Sequence, residues 1–235
     1  MTGHDRTAEW TAVGLYDPAA PNAVERLALL SWTVDHGATV EQMLAACAEG
    51  QLNSLVGDLS LRPGPRLTPR EMAVLVGIDL QLLRDVRRAS GLPVVAPDTA
   101  GLTDDDRRML ELFHLADSFF SRDELLRLAT VMGSSLRRVA DAAGEMFLRD
   151  VEAPLKASGP MFELEMAKAN LAAIELARAA TGVFAPMFLA HLEVSTQRTR
   201  DARRNSEDYD TMPLAIGFVD LSGFTEHTGG LSPVA

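Results

Sequence analysis

Four segments of this chain begin with a Ser or Thr followed three residues later by Glu, Gln or Asp: Thr39 with Gln42, Thr68 with Glu71, Thr103 with Asp106, and Ser121 with Glu124. In each pair the hydroxyl can accept from a free amide of a first helical turn while the partner reaches back to the cap's own amide. Pro69 falls at a first helical position, where a missing N–H costs nothing. Stop signals alternate with these starts at Gly37, Gly50, Gly91 with Pro93, Gly133, and Gly159-Pro160. Between them apolar residues recur at three- and four-residue steps. The pattern predicts helices over 21–36, 40–49, 69–77, 79–90, 104–119, 122–132, 134–156 and 161 to about 205, with Pro186 kinking or dividing the last. The fold class read from it is all-α, a multi-helix bundle.

The only strand pattern comes late. After Pro213, Leu-Ala-Ile-Gly-Phe-Val-Asp is a short apolar run bounded by Pro and by Ser-Gly, which suits one isolated buried β-strand. Before it, from Ser195, the chain turns abruptly polar and charged. The division expected is an N-terminal tail 1–20, a helical domain 21–194, a helical or polar linker 195–212, and the start of a second domain at 213–235. A chain of 235 residues with 47% hydrophobic and 23% charged residues has material for one sizeable core and an appendage.

Net charge is −11, so nucleic acid would meet a repulsive field unless basic residues gathered on one face. The single cysteine, Cys47, excludes an internal disulfide and reads as a small core residue in a reducing cytoplasm. The N-terminus lacks the layout of a signal peptide, and no run approaches twenty uninterrupted apolar residues, so neither export nor a membrane span is expected.

Two segments carry candidate chemistry. Asp-Leu-Ser-Gly at 220–223 is a common way to end a strand in a turn. The same residues, with exposed amides following, can hold a divalent cation beside a triphosphate. Asp220 would be the ligand, with Leu221 contributing backbone, and Gly223, Phe224 and Thr225 lying near phosphates. The other segment, Thr68 to Pro93, reads as a helix-turn-helix-like hairpin with Arg84, Arg87 and Arg88 on its second helix. It is either a DNA reader or two packed helices of a bundle; the acidic net charge favours the bundle and argues against DNA as a partner.

Phe218-Val-Asp-Leu-Ser-Gly-Phe-Thr225 resembles the first metal-binding motif of class III nucleotide cyclases. The arrangement over 20–210, a helical block with the hairpin leading to that strand, is similar to the regulatory region of soluble mycobacterial-type adenylate cyclases. The resemblance implies a truncated α/β catalytic domain at 213–235, two Mg²⁺ or Mn²⁺ ions in the complete enzyme with Asp220 as the first metal aspartate, ATP as substrate, cyclic AMP and pyrophosphate as products, and a homodimer. The chain stops at Ala235, before the family's second metal aspartate and its transition-state Asn and Arg, so no catalytic set is complete and this chain is expected to be inactive alone. The helical domain would then be regulatory, with the linker transmitting. His36, His114 and His191 are candidate pH-responsive groups. Met161, Phe184 and Phe188, among the Met and Phe residues of the later helices, are candidates to line a cavity for an apolar ligand. The competing reading is a helix-turn-helix transcription regulator.

Overall fold

The computed structural model describes residues 3–159 and 162–204. Among these, ten α-helices follow one another: α1 Gly3–Ala12, α2 Ala23–Asp35, α3 Val40–Ala48, α4 Leu55–Leu61, α5 Pro69–Val76, α6 Leu80–Ala89, α7 Asp104–Ala116, α8 Arg122–Phe147, α9 Ala153–Ala157 and α10 Glu163–Arg204. A π-helical turn, Leu148–Glu152, joins α8 to α9. The described residues are mostly helical and form no strand; an isolated bridge pairs Leu67 with Leu102. The strand expected after Pro213 lies outside the described residues.

Helix starts follow the cap chemistry. Thr39 and Gln42 close a reciprocal capping box, as do Thr68 and Glu71 with Pro69 at the first position. Ser121 accepts from the Glu124 amide at 3.3 Å. A further cap comes from Asp79, whose carboxylate accepts from the Leu82 amide at 2.7 Å and starts α6. Gly77, at φ 78°, supplies the left-handed residue that ends α5.

Five expectations need correction. Residues 1–20 include α1, whose Trp10 is buried with Leu15 in a hydrophobic core. Helix α4 forms where none is expected. Gly133 does not stop a helix: α8 runs through it, because the missing side chain admits the α6 terminus. A Cβ there would stand 2.2 Å from the Ser90 carbonyl oxygen. The helix expected over 134–156 is instead broken by the π-helical turn, just ahead of Pro154, whose ring nitrogen cannot donate back to Asp150. Nor does Pro186 divide α10, which runs continuously across it; Ala185 before it and Met187, Leu189 and Ala190 after it are strong helix formers.

The chain divides into two compact units, 1–180 and from 181 onward. The first contains two hydrophobic cores. Trp10, Leu15, Leu29, Leu30, Met43 and Leu52 centre one, which also takes Ala167 of α10. Met72, Leu82, Leu83, Val86, Leu102 and Leu110 centre the other, between α5, α6 and α7. Arg62-Pro63-Gly64-Pro65-Arg66 connects them, with Gly64 at φ 99°. In the second unit the described residues continue as the helical stretch to Arg204.

Candidate functional site at the last helix

Helix α10 begins on a polar seat. The Glu163 amide, one of the first-turn donors without an intrahelical partner, donates to the Glu25 carboxylate at 2.8 Å. Arg26 sits beside Glu163 at 3.7 Å, donates to the Leu15 carbonyl at 3.1 Å, and points another nitrogen at Cys47 Sγ, 2.6 Å away. Met166 and Ala167 are buried, and Leu164 packs on the first core. One turn further, Asn170 donates to the Asn53 carbonyl at 3.1 Å. Gly57 of α4 lets Ile174 approach: a Cβ on Gly57 would meet it at 3.4 Å. Arg178 donates to the Ser60 carbonyl at 2.7 Å.

In the second unit the character of α10 reverses. Val183, Phe184, Met187, Phe188, Leu189, Leu192 and Val194 are all exposed. Helix α8 shows a related surface in the first unit: Leu128, Met132, Leu136, Val139 and Met146 are exposed, and their steps of three, four and seven place them along one stripe. By length and composition α10 is apolar enough to cross a membrane, contrary to the expectation drawn from uninterrupted runs, and none of its most apolar window is buried. Alanines, together with scattered polar residues, make the average apolar without a continuous apolar run.

The regulatory candidates separate. His36 ends α2, its Nδ1 2.7 Å from the Trp32 carbonyl and its ring 4.2 Å from the Trp32 ring. His114 lies in the last turn of α7 and His191 in α10; all three are exposed. Phe184 and Phe188 stand on the exposed stretch of α10. Neither lines the cleft of about 580 Å³ that runs between the segment from Asp150 to Leu155 and the start of α10 at Glu165, Lys168 and Ala169. Met161 lies outside the described residues, as do Asp220, Leu221, Gly223, Phe224 and Thr225. No cluster of His, Cys, Asp and Glu suited to a metal occurs among the described residues.

Two of the hairpin arginines are paired with carboxylates, Arg87 in the interior and Arg88 at the surface. Arg87 is buried, donating to the Pro93 carbonyl at 3.0 and 2.9 Å and to Asp106. Arg88 pairs with Asp85 at 3.1 Å. Asp106, itself 2% exposed, is the hub: it accepts from the Thr103 amide at 2.8 Å, from Arg87 on one oxygen and from Arg62 on the other. Burial alone would raise its carboxyl; the Thr103 amide and the two guanidinium groups outweigh that and hold it below the ordinary aspartate range. Sequence reading finds Asp106 as a capping-box partner but not as a hub, since Arg62 lies 44 residues away. The same holds for the Glu25–Glu163 contact, which spans 138 residues.

The model of the adenylate cyclase regulatory domain matches residues 6–196, nearly the whole described chain. This chain belongs to the adenylate cyclase regulatory domain family. Among relatives, the "Uncharacterized protein Rv2212" of Mycobacterium tuberculosis is 30% identical over 216 residues, covering 90% of this chain and 56% of that protein. The "Uncharacterized protein Mb2235" of Mycobacterium bovis matches to the same extent. The "pH-sensitive adenylate cyclase MT1302" of M. tuberculosis is 26% identical over 240 residues, covering 96% of this chain and 57% of that enzyme. The regulatory chain described here therefore spans little more than half the length of these relatives.

Proposed function

We propose that this chain is the regulatory part of a cytoplasmic class III adenylate cyclase, that it works as a homodimer, and that α10 sets the relative placement of two catalytic domains. The observation carrying the dimer is the exposed apolar surface: the stripe on α8 and, separately, the apolar stretch of α10. Apolar surface of this kind on an acidic, otherwise ordinary domain marks a protein interface. A lipid bilayer fits α10 less well. The uncharged stretch between Arg178 and Glu193 covers residues 179–192, shorter than the roughly 20 residues a spanning helix needs.

The regulatory role rests on the family, and the cyclase chemistry on residues 218–225 and on the relative named as an adenylate cyclase. On this reading Asp220 and the Leu221 backbone hold Mg²⁺ or Mn²⁺ in the complete enzyme, and Gly223, Phe224 and Thr225 lie against the ATP phosphates. The pH sensitivity in the name of the M. tuberculosis relative makes proton concentration the input proposed for this domain, with His36, His114 and His191 as the groups to test; an apolar ligand of Met161, Phe184 and Phe188 is the alternative input. DNA binding loses support because Arg87 is committed to Asp106 and Pro93.

Sedimentation velocity on the 235-residue chain tests the dimer. The wild type is expected to sediment as a dimer at micromolar concentration. Val139→Asp and Phe188→Asp, each placing a charge on an exposed apolar surface without touching either core, are expected to shift it towards monomer. A monomeric wild type, or a dimer indifferent to both substitutions, would overturn the proposal.

A further inference from the structure

The two cores of the first unit share no residue. One lobe consists of α1 to α4 together with the start of α10, which is held there by Ala167, by the Glu25–Glu163 contact, and by Asn170 and Arg178 on α4 and its approach. The other lobe consists of α5 to α7 with the start of α8, whose Leu126 packs on the second core. Proteins open in contiguous cooperative units, and two separate cores define two such units unless something joins them.

Arg62 joins them. It follows α4 in the first lobe and reaches across to the second, donating to Thr103 Oγ1 at 2.7 Å and to the Asp106 carboxylate. Within the second lobe Asp106 already has a full counter-charge, Arg87, whose side chain is 4% exposed. Arg87 alone neutralises the carboxylate and must keep it, since a buried guanidinium without its partner is strongly destabilising. A second guanidinium is not needed for neutrality, and this one comes from the other lobe with its side chain 36% exposed. It holds the near oxygen, which also accepts from the Thr103 amide at 2.8 Å.

We propose that the Arg62–Asp106 contact is a latch between two separately cored lobes, so that loosening of one lobe passes to the other and, through the first lobe, to the base of α10. The mechanical claim stands on the contacts above; its use in signalling rests on the regulatory reading. Hydrogen exchange on the full 235-residue chain separates the two. Leu30→Ala loosens the first core directly, by roughly thirtyfold or more in amide protection. With Arg62 present, that loss is expected in α6 and α7 as well as in α2 and α3.

With Arg62→Met it should be confined to α2 and α3, leaving α6 and α7 protected within about twofold of Arg62→Met alone. This tolerance follows from contacts elsewhere being unchanged. Arg62→Lys, which keeps one charged donor, should restore part of the spread. Loosening that reaches α6 and α7 equally in Arg62→Met, or never reaches them in the Arg62 protein, would overturn the latch. So would an Arg62→Met chain that fails to fold, since that would make Arg62 a core requirement. A latch broken in exchange while a complete cyclase keeps unchanged control of its output would refute only the signalling use.

Discussion

Asp106 concentrates the polar energetics of the helical region into one carboxylate: it closes a capping box, neutralises buried Arg87 and receives Arg62. Its folded carboxyl lies below the ordinary aspartate range, which fixes the sign of its pH dependence. The folded state binds the proton less readily than the unfolded chain. The carboxylate's contribution is therefore fully present above the ordinary aspartate value and is lost as the pH falls through the lower folded one. Asp106→Asn should cost about 3–5 kcal/mol near neutrality by stranding Arg87, and should flatten the acid limb of stability. Urea titrations across the acid range check both. Gly133→Ala is the complementary test of packing. Its new methyl would press on the Ser90 backbone, so a loss of about 1–3 kcal/mol is expected, although alanine favours a helix intrinsically. From sequence, Gly133 reads as a stop, because local propensity is all that a lone glycine displays. Only the neighbouring helix turns it into a contact.

At the level of elements, what is legible in advance depends on whether the cause is local. The starts of α3, α5 and α8 follow from side chains three residues apart, and Thr68→Ala should cost about 1 kcal/mol in thermal or urea unfolding by removing the cap of α5. Helices α1 and α4 escape notice for the opposite reason. One is polar apart from Trp10 and little else, and the other carries Gly57 near its middle. Both are helical because of distant partners, Trp10 entering the first core and Gly57 meeting α10. The candidate site shows the same division. The greasy character of α10 is plain in its sequence, whereas its seat on Glu25, Asn53 and Ser60 depends on residues more than a hundred positions away. If protons are the input, replacing His36, His114 and His191 by Gln should flatten the pH profile of a complete cyclase carrying this domain; an unchanged profile would discard those histidines as sensors.

For the whole molecule, the helical fold and the family match over residues 6–196 establish a regulatory domain, and the exposed surfaces of α8 and α10 are what the proposed dimer would bury. The polar segment from Ser195 is placed by sequence between the regulatory domain and the expected catalytic domain, and α10 carries the helix into it as far as Arg204. The most direct measurement is cyclic AMP synthesis by a chain extended through a complete catalytic domain, compared with the same protein lacking residues 6–196 and assayed across pH. Removal of the domain should change the rate severalfold and abolish its dependence on the input. Identical rates and identical pH profiles with and without residues 6–196 would contradict a regulatory role.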